Sequence, residues 1–372
     1  MNASQLNFLQ WILQCKRPHG SKGLDTFVDA LFAQYEHEIY RNPAGAPLAV
    51  VITVGSSRTL FSCHLDTVHT SDGFHAVVYD EKVGEIRLAE REVFEPEEVV
   101  PTLSLAPKSK VVSPLSNWNA YKKSYGCLGA DDGAGIWLMM EMIDANIPGA
   151  YFFHFGEEKG GIGSTGMASH HQEFLTKFDR AVAFDRRGTC SIITHQGFGR
   201  CCSDTFADAL SAALSDANPK VDTWPDSTGI FTDTANYTDF IGECTNVSCG
   251  YDAEHSDSET LNVTFLSELR DAVIKVDWEN LPTDRQPGEE EDPAYKGFGY
   301  ASYGASYGAS AGSYALDDLE ELSRMKYRDL LDWVRKHDAE SIADVLYEAL
   351  AEMQPAPGSA QKGVYFEDED YL

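Results

Sequence analysis

The chain has 372 residues, of which 43% are hydrophobic, so it is long enough to build one large domain or two small ones around a sizeable core. Its 59 acidic residues outnumber its 29 basic residues and give a formal net charge of −30. This excess of acid argues against nucleic acid and against an anionic membrane surface as partners, because both are bound through clustered Lys and Arg.

The chain has eight cysteines but no Cys-x-x-Cys pair, and several of them lie in apolar runs. A buried free thiol is the usual state of such a cysteine. No stretch approaches the roughly 18 consecutive apolar residues of a membrane-spanning helix, and the first residues lack the features of a secretory signal. We therefore expect a protein of the reducing cytoplasm.

Apolar residues at helical spacing predict a first helix over 4–15 and a second over 24–40. Beyond them, apolar runs predict strands at 48–54, 58–63, 150–155, 180–184 and 245–249, and helical periodicity predicts helices at 132–145, 204–215 and 259–275. Such alternation is typical of a layered α/β domain. We expect a three-layer sandwich around a mixed, mostly parallel sheet, formed by residues 1–281.

Three segments depart from this pattern. Residues 67–127, which include a candidate hairpin around Gly84, are interpreted as an insertion into the domain. Residues 282–315 are acidic and then rich in Tyr, Gly, Ala and Ser, a composition that predicts a flexible linker. Residues 316–372 are interpreted as a helical appendage with an acidic tail. Because the helices over 316–353 are short, we expect them to dock on this chain or on a protein partner.

Imidazole and carboxylate side chains follow several of the predicted strands. Open α/β sheets build their sites at the carboxyl ends of strands, and converging imidazoles and carboxylates are what a metal site requires. Each segment alone has an ordinary interpretation as a helix cap, a turn or a solvated surface. Their joint placement predicts one site, with the candidate residues His64, Asp66, Asp131, Glu157, Glu158, Asp185 and His255.

The residue types at this site indicate a pair of metal ions. Two divalent ions roughly 3.5–4 Å apart require one bridging carboxylate and further ligands on each ion. Nitrogen and oxygen ligands without thiolate suit zinc, with manganese or cobalt as alternatives. The side chains of Glu157 and Glu158 diverge, so one can bind metal while the other faces the attacking water. Asp66 lies two residues after His64 on an extended chain, where its carboxylate can orient the imidazole.

Two of these segments carry a family resemblance. Leu-Gly-Ala-Asp-Asp-Gly-Ala-Gly-Ile (128–136) and Cys-Gly-Tyr-Asp-Ala-Glu-His-Ser-Asp-Ser-Glu (249–259) resemble the co-catalytic zinc exopeptidases. Within that superfamily they are most similar to the peptidase T family of tripeptide aminopeptidases. The resemblance covers about residues 1–280, and the order and spacing of the motifs are more specific than any single motif.

The resemblance implies a role for each candidate residue. It implies that Asp131 bridges two metal ions, that Glu157 is the general base, and that the bond between Asp131 and Asp132 is cis. It implies that His64 and Asp185 complete the ligands of one ion and that Glu158 and His255 complete those of the other. It also implies that Asp66 orients the imidazole of His64.

One difference separates the chain from the peptidase T family. That family carries a separate lid or dimerisation domain between the ligands that correspond to Asp185 and His255, whereas here only the 69 residues 186–254 lie between them. Predicted strands over 190–200, the helix at 204–215 and the strand that follows use these residues. We therefore expect the lid to be absent, as in the single-domain aminopeptidases of the superfamily.

The resemblance implies a metal-dependent hydrolase that acts as an aminopeptidase on short peptides. A deacylase of N-acyl amino acids or a carboxypeptidase with the same metals stays open, as does a non-catalytic binding protein that retains the fold. Tyr237 or Tyr251 is a candidate oxyanion donor, although packing is the more common role of a tyrosine. Arg186 and Arg187 could bind a substrate carboxylate, but surface salt bridges are the favoured interpretation.

Overall fold

The computed structural model describes residues 1–89, 126–196 and 199–288. The middle of the predicted insertion, the linker beyond Gly288 and the predicted appendage over 316–372 lie outside the described residues. The described helices are α1 (Ala3–Gln14), α2 (Lys22–Phe32), α3 (Ala130–Asp144), α4 (Ile162–His170), α5 (Gln172–Leu175), α6 (Asp204–Ala217) and α7 (Val263–Val273). The described strands are β1 (Cys15–Lys16), β2 (Glu38–Arg41), β3 (Pro47–Val54), β4 (Thr59–His64), β5 (Gly73–Phe74), β6 (Val77–Asp80), β7 (Glu85–Leu88), β8 (Gly149–His154), β9 (Arg180–Arg186), β10 (Ser191–Ile193), β11 (His195–Gln196), β12 (Gly199–Arg200), β13 (Trp224–Asp226), β14 (Glu243–Ser248), β15 (Tyr251–Asp252) and β16 (Thr260–Asn262). Short 3₁₀ helices occupy Glu157–Lys159, Asp233–Tyr237 and Trp278–Asn280.

Eight strands form the central sheet in the order β13-β10-β14-β9-β4-β8-β3-β2. The pairs β13-β10, β14-β9, β9-β4 and β4-β8 are parallel, and the other three pairs are antiparallel. The predicted mixed, mostly parallel sheet is therefore confirmed. Because β14, β9, β4 and β8 are neighbours that run in one direction, their carboxyl ends meet at a single edge of the sheet.

Helices cover both faces of this sheet. Phe152 and Phe153 are adjacent in β8, so their side chains point to opposite faces. Phe152 stacks on Phe174 of α5 with 5.6 Å between ring centroids, whereas Phe153 meets Phe32 of α2 at 4.9 Å. Trp11 of α1 stacks on α2, and α3 contacts both α1 and α7, so these four helices share one face. The predicted three-layer α/β sandwich is confirmed.

Polar residues fix the first turn of three helices. The side chains of Ser21, Ser203 and Asn262 accept the backbone N–H of the residue three positions later, at 3.1, 3.1 and 2.8 Å. Each bond satisfies an N–H that has no partner inside the helix, and such a cap stabilises by about 1 kcal/mol. Strand β16 precedes α7, so the helix predicted over 259–275 begins later, at Val263.

The second helix is shorter than predicted. It ends at Phe32 rather than near Tyr40, and Glu38–Arg41 forms the edge strand β2 against β3. Tyr40, the predicted end of the helix, instead stacks its ring on Phe174 with 5.0 Å between centroids. That contact lies on the face of the sheet opposite α2. At this position, packing against α5 and pairing with β3 therefore determine the secondary structure, rather than the helical spacing of the apolar residues.

The hairpin predicted around Gly84 is present. β6 and β7 pair antiparallel, and β7 continues into a four-stranded sheet with β16 and β15. The described part of the predicted insertion is thus hydrogen-bonded to β16, which follows His255 and pairs in turn with β15 before it. None of the described helices is both long enough and apolar enough to cross a lipid bilayer.

Phe153 offers a test of the layered core. Its side chain is fully buried between β8 and α2, so Phe153→Ala should lower the free energy of unfolding by about 3–5 kcal/mol through lost burial and a residual cavity. Urea unfolding of the full chain, followed by tryptophan fluorescence, measures this loss. Val83→Ala, at a residue that is 68% exposed, is the control and should change the free energy by less than about 0.5 kcal/mol. Equally small effects of both substitutions would contradict the described packing.

Candidate metal centre

The parallel strands bring chemically active side chains to one edge of the sheet. His64 is the last residue of β4, and Asp185 is the last but one of β9. Glu157 and Glu158 lie in the 3₁₀ turn after β8, and His255 lies in the turn between β15 and β16. The first turn of α3 meets the same edge, because this helix packs on β4 and β9.

Asp131, in the first turn of α3, lies at the centre of these side chains. Its Oδ1 is 2.9 Å from Nε2 of His64, and its Oδ2 is 3.1 Å from Nε2 of His255. The two oxygens of one carboxylate therefore face two imidazoles that come from distant parts of the sequence. Only 9% of Asp131 is exposed, so these contacts are largely shielded from water.

Asp131 is shared by two groups of side chains. His64, Asp131 and Asp185 form the first group, and Asp131, Glu158 and His255 form the second; the possible ligand atoms of each group lie within 4.8 Å of one another. His64 Nε2 is 3.5 Å from Asp185 Oδ1, and His255 Nε2 is 3.2 Å from Glu158 Oε1. Each group offers nitrogen and oxygen atoms of the kind that bind a divalent ion.

Two observations fit a cation at this place. Glu158 Oε1 is buried and makes no hydrogen bond to any described residue, although His255 Nε2 lies 3.2 Å away. Nδ1 of His64 is 3.1 Å from the backbone oxygen of Asp66, so a neutral imidazole donates there and turns its Nε2 lone pair toward Asp131. A lone pair that faces a carboxylate is repelled unless a proton or a cation lies between them.

The crowding of carboxylates also shifts the protonation of both imidazoles. Burial alone would lower the pKa of His64, but Asp185 and Asp131 outweigh burial and raise that pKa well above its ordinary value. The carboxylates of Asp131 and Glu158, which lie 3.1 and 3.2 Å from Nε2 of His255, raise the pKa of His255 to about 11. Without another cation the site therefore draws protons onto its imidazoles, which shows that its carboxylates require positive charge between them.

A further carboxylate holds the backbone around Asp131. Oε2 of Glu259 accepts the N–H of Gly129 and Oε1 accepts the N–H of Asp131, both at 3.0 Å. Gly129 has a φ of 74°, in the left-handed region that favours glycine. The peptide bond between Asp131 and Asp132 is cis, as the resemblance implied. The bonds to Glu259 fix the loop that carries Asp131.

Asp132 joins the start of α3 to β4. Its Oδ2 accepts the backbone N–H of His64 at 3.3 Å, and its Oδ1 accepts the N–H of Gly135 at 2.9 Å. A Cβ at Gly135 would lie 2.3 Å from the carbonyl oxygen of Phe184, so only glycine allows α3 to come this close to β9. This close approach sets the spacing between site residues on the helix and site residues on the strands.

Asp66 contacts His64 through its backbone rather than through its carboxylate. The expected carboxylate contact is long, with 3.9 Å between Oδ1 and Nδ1, whereas the backbone oxygen accepts from the imidazole at 3.1 Å. Oδ1 of Asp66 instead accepts the N–H groups of Gly156 and Glu157, at 2.8 and 3.2 Å. The carboxylate of Asp66 therefore positions the turn that carries Glu157.

Glu157 lies beside the two ligand groups and belongs to neither. Its Oε2 is 4.0 Å from Nε2 of His64. Burial raises the pKa of Glu157 well above its ordinary value, and the carboxylates of Asp185 and Asp233 add to the rise against the opposing effect of His64. A carboxyl group with a raised pKa can take up and return a proton near neutral pH.

Both tyrosines considered as oxyanion donors are engaged by the protein itself. The hydroxyl of Tyr251 donates to the backbone oxygen of Asp185 at 2.9 Å, while Thr232 donates to Oδ2 of Asp185 at 2.6 Å. Tyr237 is fully buried, and its hydroxyl lies 2.5 Å from Nε2 of His154. Tyr251 thus supports Asp185, and Tyr237 belongs to the core behind the site.

Sequence reasoning missed two residues that support the site. Glu259 ends the segment 249–259, so the family resemblance of that segment is a signal for it. Arg17 has no comparable signal. It is fully buried, and its guanidinium donates to the backbone oxygens of Leu65 at 2.9 Å and Gly129 at 3.3 Å. Arg17 therefore ties together the two loops next to His64 and Asp131.

The residues between Asp185 and His255 belong to the main domain. Strands β10, β13 and β14 are part of the eight-stranded sheet, and α6 packs on α7. Among the described residues of 186–254, these elements and their short connections leave no separate lid. The described structure therefore agrees with the expectation drawn from the short spacing.

Two solved structures with the same fold are an aminopeptidase and a tripeptidase. The chain superposes on aminopeptidase PepT from Bacillus cereus with 13% identity and a TM-score of 0.50, covering 74% of this chain and 98% of that one. It superposes on a tripeptidase from Staphylococcus aureus with 14% identity and a TM-score of 0.53, covering 74% of this chain and 97% of the other. The chain therefore shares the fold of these two peptidases, as the resemblance implied. No family model and no curated protein sequence matches the chain.

A buried polar pair lies behind the site, on the face of the sheet that carries α5. His154 is the register partner of His64 in the β4-β8 pair, and its Nδ1 lies 3.3 Å from Oδ2 of Asp233. Burial lowers the pKa of His154 to about 3 and raises the pKa of Asp233 to about 7. A neutral imidazole is therefore in contact with a carboxyl group that is partly protonated at neutral pH.

Asp233 predicts a pH dependence of stability. Folding raises its pKa from 3.8 to about 7, so its stabilising contribution is complete at low pH and is lost as the pH rises through about 7. Relative to metal-free Asp233→Asn, metal-free wild type should lose on the order of 2–4 kcal/mol of unfolding free energy between about pH 4 and about pH 8. Urea unfolding across this range measures both chains, with Asp216→Asn at an exposed position as the control. Parallel curves for wild type and Asp233→Asn would exclude this role of the buried carboxyl group.

Proposed function

We propose that this chain is a metal-dependent hydrolase that cleaves peptide bonds, acting as an aminopeptidase on short peptides. The observation that carries the proposal is the position of Asp131, whose two oxygens face His64 and His255 at 2.9 and 3.1 Å, with another carboxylate beside each imidazole. A shared carboxylate between two such groups suits a pair of divalent ions, a common arrangement in hydrolases. The fold shared with an aminopeptidase and a tripeptidase supports the same reaction class.

In this proposal His64, Asp131 and Asp185 hold one ion, and Asp131, Glu158 and His255 hold the other. Imidazole and carboxylate ligands without thiolate suit zinc, and they also suit manganese or cobalt. Bound ions would polarise the scissile carbonyl and make the attacking water more acidic. The side chain of His255 is 51% exposed, which leaves the second ligand group open to a substrate from solvent.

Glu157 is the proposed general base. It accepts a proton from the attacking water and delivers that proton to the leaving amine, so the same carboxyl group serves both halves of the reaction. Its place outside both ligand groups leaves its oxygens available. Oδ1 of Asp66 accepts the backbone N–H of Glu157 at 3.2 Å, and this hydrogen bond keeps the turn in position.

An acidic group in the pocket favours substrates with a free amino terminus. Glu254 lines the same pocket as Asp131 and Glu157, and its Oε2 is buried and makes no hydrogen bond to any described residue. A substrate ammonium group could donate to this oxygen in a charge-assisted hydrogen bond. A peptide offers such a group and an N-acyl amino acid does not, so this oxygen favours an aminopeptidase over a deacylase.

Metal content is the first test of the proposal. After loading with zinc and removal of the excess, the full-length chain should hold about two ions, as a shared-carboxylate site does. Asp131→Ala should lose both, because Asp131 is common to the two ligand groups. Elemental mass spectrometry gives the ratio of metal to protein, and Asp216→Ala, which replaces an exposed acid, is the control that should keep both ions. A wild-type chain that binds no zinc, manganese or cobalt would sink the proposal.

Glu157→Gln separates metal binding from chemistry. The substitution keeps the size of the side chain but removes its ability to take a proton, so kcat for a tripeptide should fall by about 10²- to 10⁴-fold at unchanged metal content. Glu158→Gln should instead lower metal content, because Glu158 belongs to a ligand group. Chromatographic detection of alanine released from trialanine measures the activity. Undiminished turnover in Glu157→Gln, or loss of its metal, would remove Glu157 from the proposed role.

A further inference from the structure

The pocket at the candidate metal centre also contains two arginines, Arg186 and Arg187, which follow Asp185 directly. Nη1 of Arg187 lies 3.2 Å from Oε1 of Glu254, and the side chain of Arg187 is 55% exposed. This is the surface salt bridge that the sequence favoured. The charge of Arg187 is therefore balanced within the protein.

Arg186 keeps a donor that no described residue uses. Its Nη2 donates to the hydroxyl of Thr228 at 2.9 Å, whereas its Nε is buried and makes no hydrogen bond to the described residues. The carboxylate of Asp226 is 3.8 Å from Nη2 and already accepts hydrogen bonds from Ser191 and Thr228. The side chain of Arg186 is only 17% exposed, so its unused donor is costly until a ligand satisfies it.

We propose that Arg186 binds a carboxylate of the substrate and so makes this site selective for peptides that carry one near the bond to be cleaved. The inference rests on the proposed peptidase function. A guanidinium group binds a carboxylate through charge-assisted hydrogen bonds, and the unused Nε provides a donor for one of them. Ile193, Ile230 and Phe231 line the same pocket, and their apolar surface strengthens an ion pair beside them.

This selectivity opposes the charge of the protein as a whole. A net charge of −30 attracts cationic peptides and disfavours anionic ones. A preference for a carboxylate therefore cannot come from the overall electrostatic field. It requires a local cation with an available donor, and of the two pocket arginines Arg186 is the one with a buried donor that makes no hydrogen bond to the described residues.

Three matched pairs of peptides identify the source of the carboxylate. Trialanine is compared with trialanine amide, glutamyl-alanyl-alanine amide with its glutaminyl counterpart, and alanyl-glutamyl-alanine amide with its glutaminyl counterpart. Each pair exchanges one carboxylate for a neutral amide of nearly the same shape. The pairs test the C-terminus, the first side chain and the second side chain. KM and kcat are measured with the zinc-loaded full-length chain, and Kd is measured by calorimetry with zinc-loaded Glu157→Gln.

We expect the acidic member of one pair to show a KM and a Kd about 10- to 100-fold lower than its amide, the range of hydrogen bonds to a charged group. Arg186→Gln should abolish this ratio. Arg186→Lys should restore part of it, because lysine keeps the charge but lacks the planar pair of donors. Arg187→Gln is the matched control, since it removes one positive charge from the same pocket, and it should retain the ratio.

Equal KM and Kd values within all three pairs, or a ratio that survives Arg186→Gln, would overturn the carboxylate site; turnover of the peptides would then leave the peptidase function standing. A ratio lost equally in Arg186→Gln and Arg187→Gln would assign it to pocket charge and would also overturn the proposal. A carboxylate preference in Kd without any turnover would remove the peptidase function and keep the carboxylate site.

Discussion

The site depends on holding several carboxylates together against their mutual repulsion. Glu157, Glu158 and Asp185 surround the shared carboxylate of Asp131, with only two imidazoles between them. In an unfolded chain these groups would separate in water, so the fold has to supply the restraint. Arg17 supplies part of this restraint, because its buried guanidinium donates to backbone oxygens in the two loops next to His64 and Asp131 rather than to any of the acids. The restraint therefore leaves the negative charge of the site intact.

The carboxylates in and around the site fall into two kinds by their partners. Asp66 and Glu259 each accept two backbone N–H groups, and these bonds hold the turns that carry Glu157 and Asp131. Glu158 keeps a buried oxygen without a hydrogen bond among the described residues. Backbone amides thus anchor one oxygen of Asp66 and both oxygens of Glu259, while Oδ2 of Asp66, like Oε1 of Glu158, is buried without a hydrogen bond among the described residues. The supporting acids are held where strand and helix ends meet at one edge of the sheet.

Much of this arrangement could be predicted because it depends on residues that are close together in the sequence. The long apolar runs of β3, β4, β8 and β9 and the polar residues that end them need no tertiary information. α4 was not predictable, since it contains two glycines and Met167 is its only large buried side chain. The difference between Arg186 and Arg187 was also hidden, because their partners Thr228 and Glu254 lie 42 and 67 positions away. Local patterns identify such residues, and distant contacts decide what they do.

The two proposed ion sites draw their ligands from the length of the domain, from His64 on β4 to His255 beyond β14. An ion bound there would act as a non-covalent cross-link, so its binding free energy would add to the free energy of folding. Because the side chain of His255 is 51% exposed, we expect chelation to loosen first the turn that carries it. Susceptibility to proteases would then rise as metal becomes scarce, and the amount of the protein in a cell would follow the metal supply.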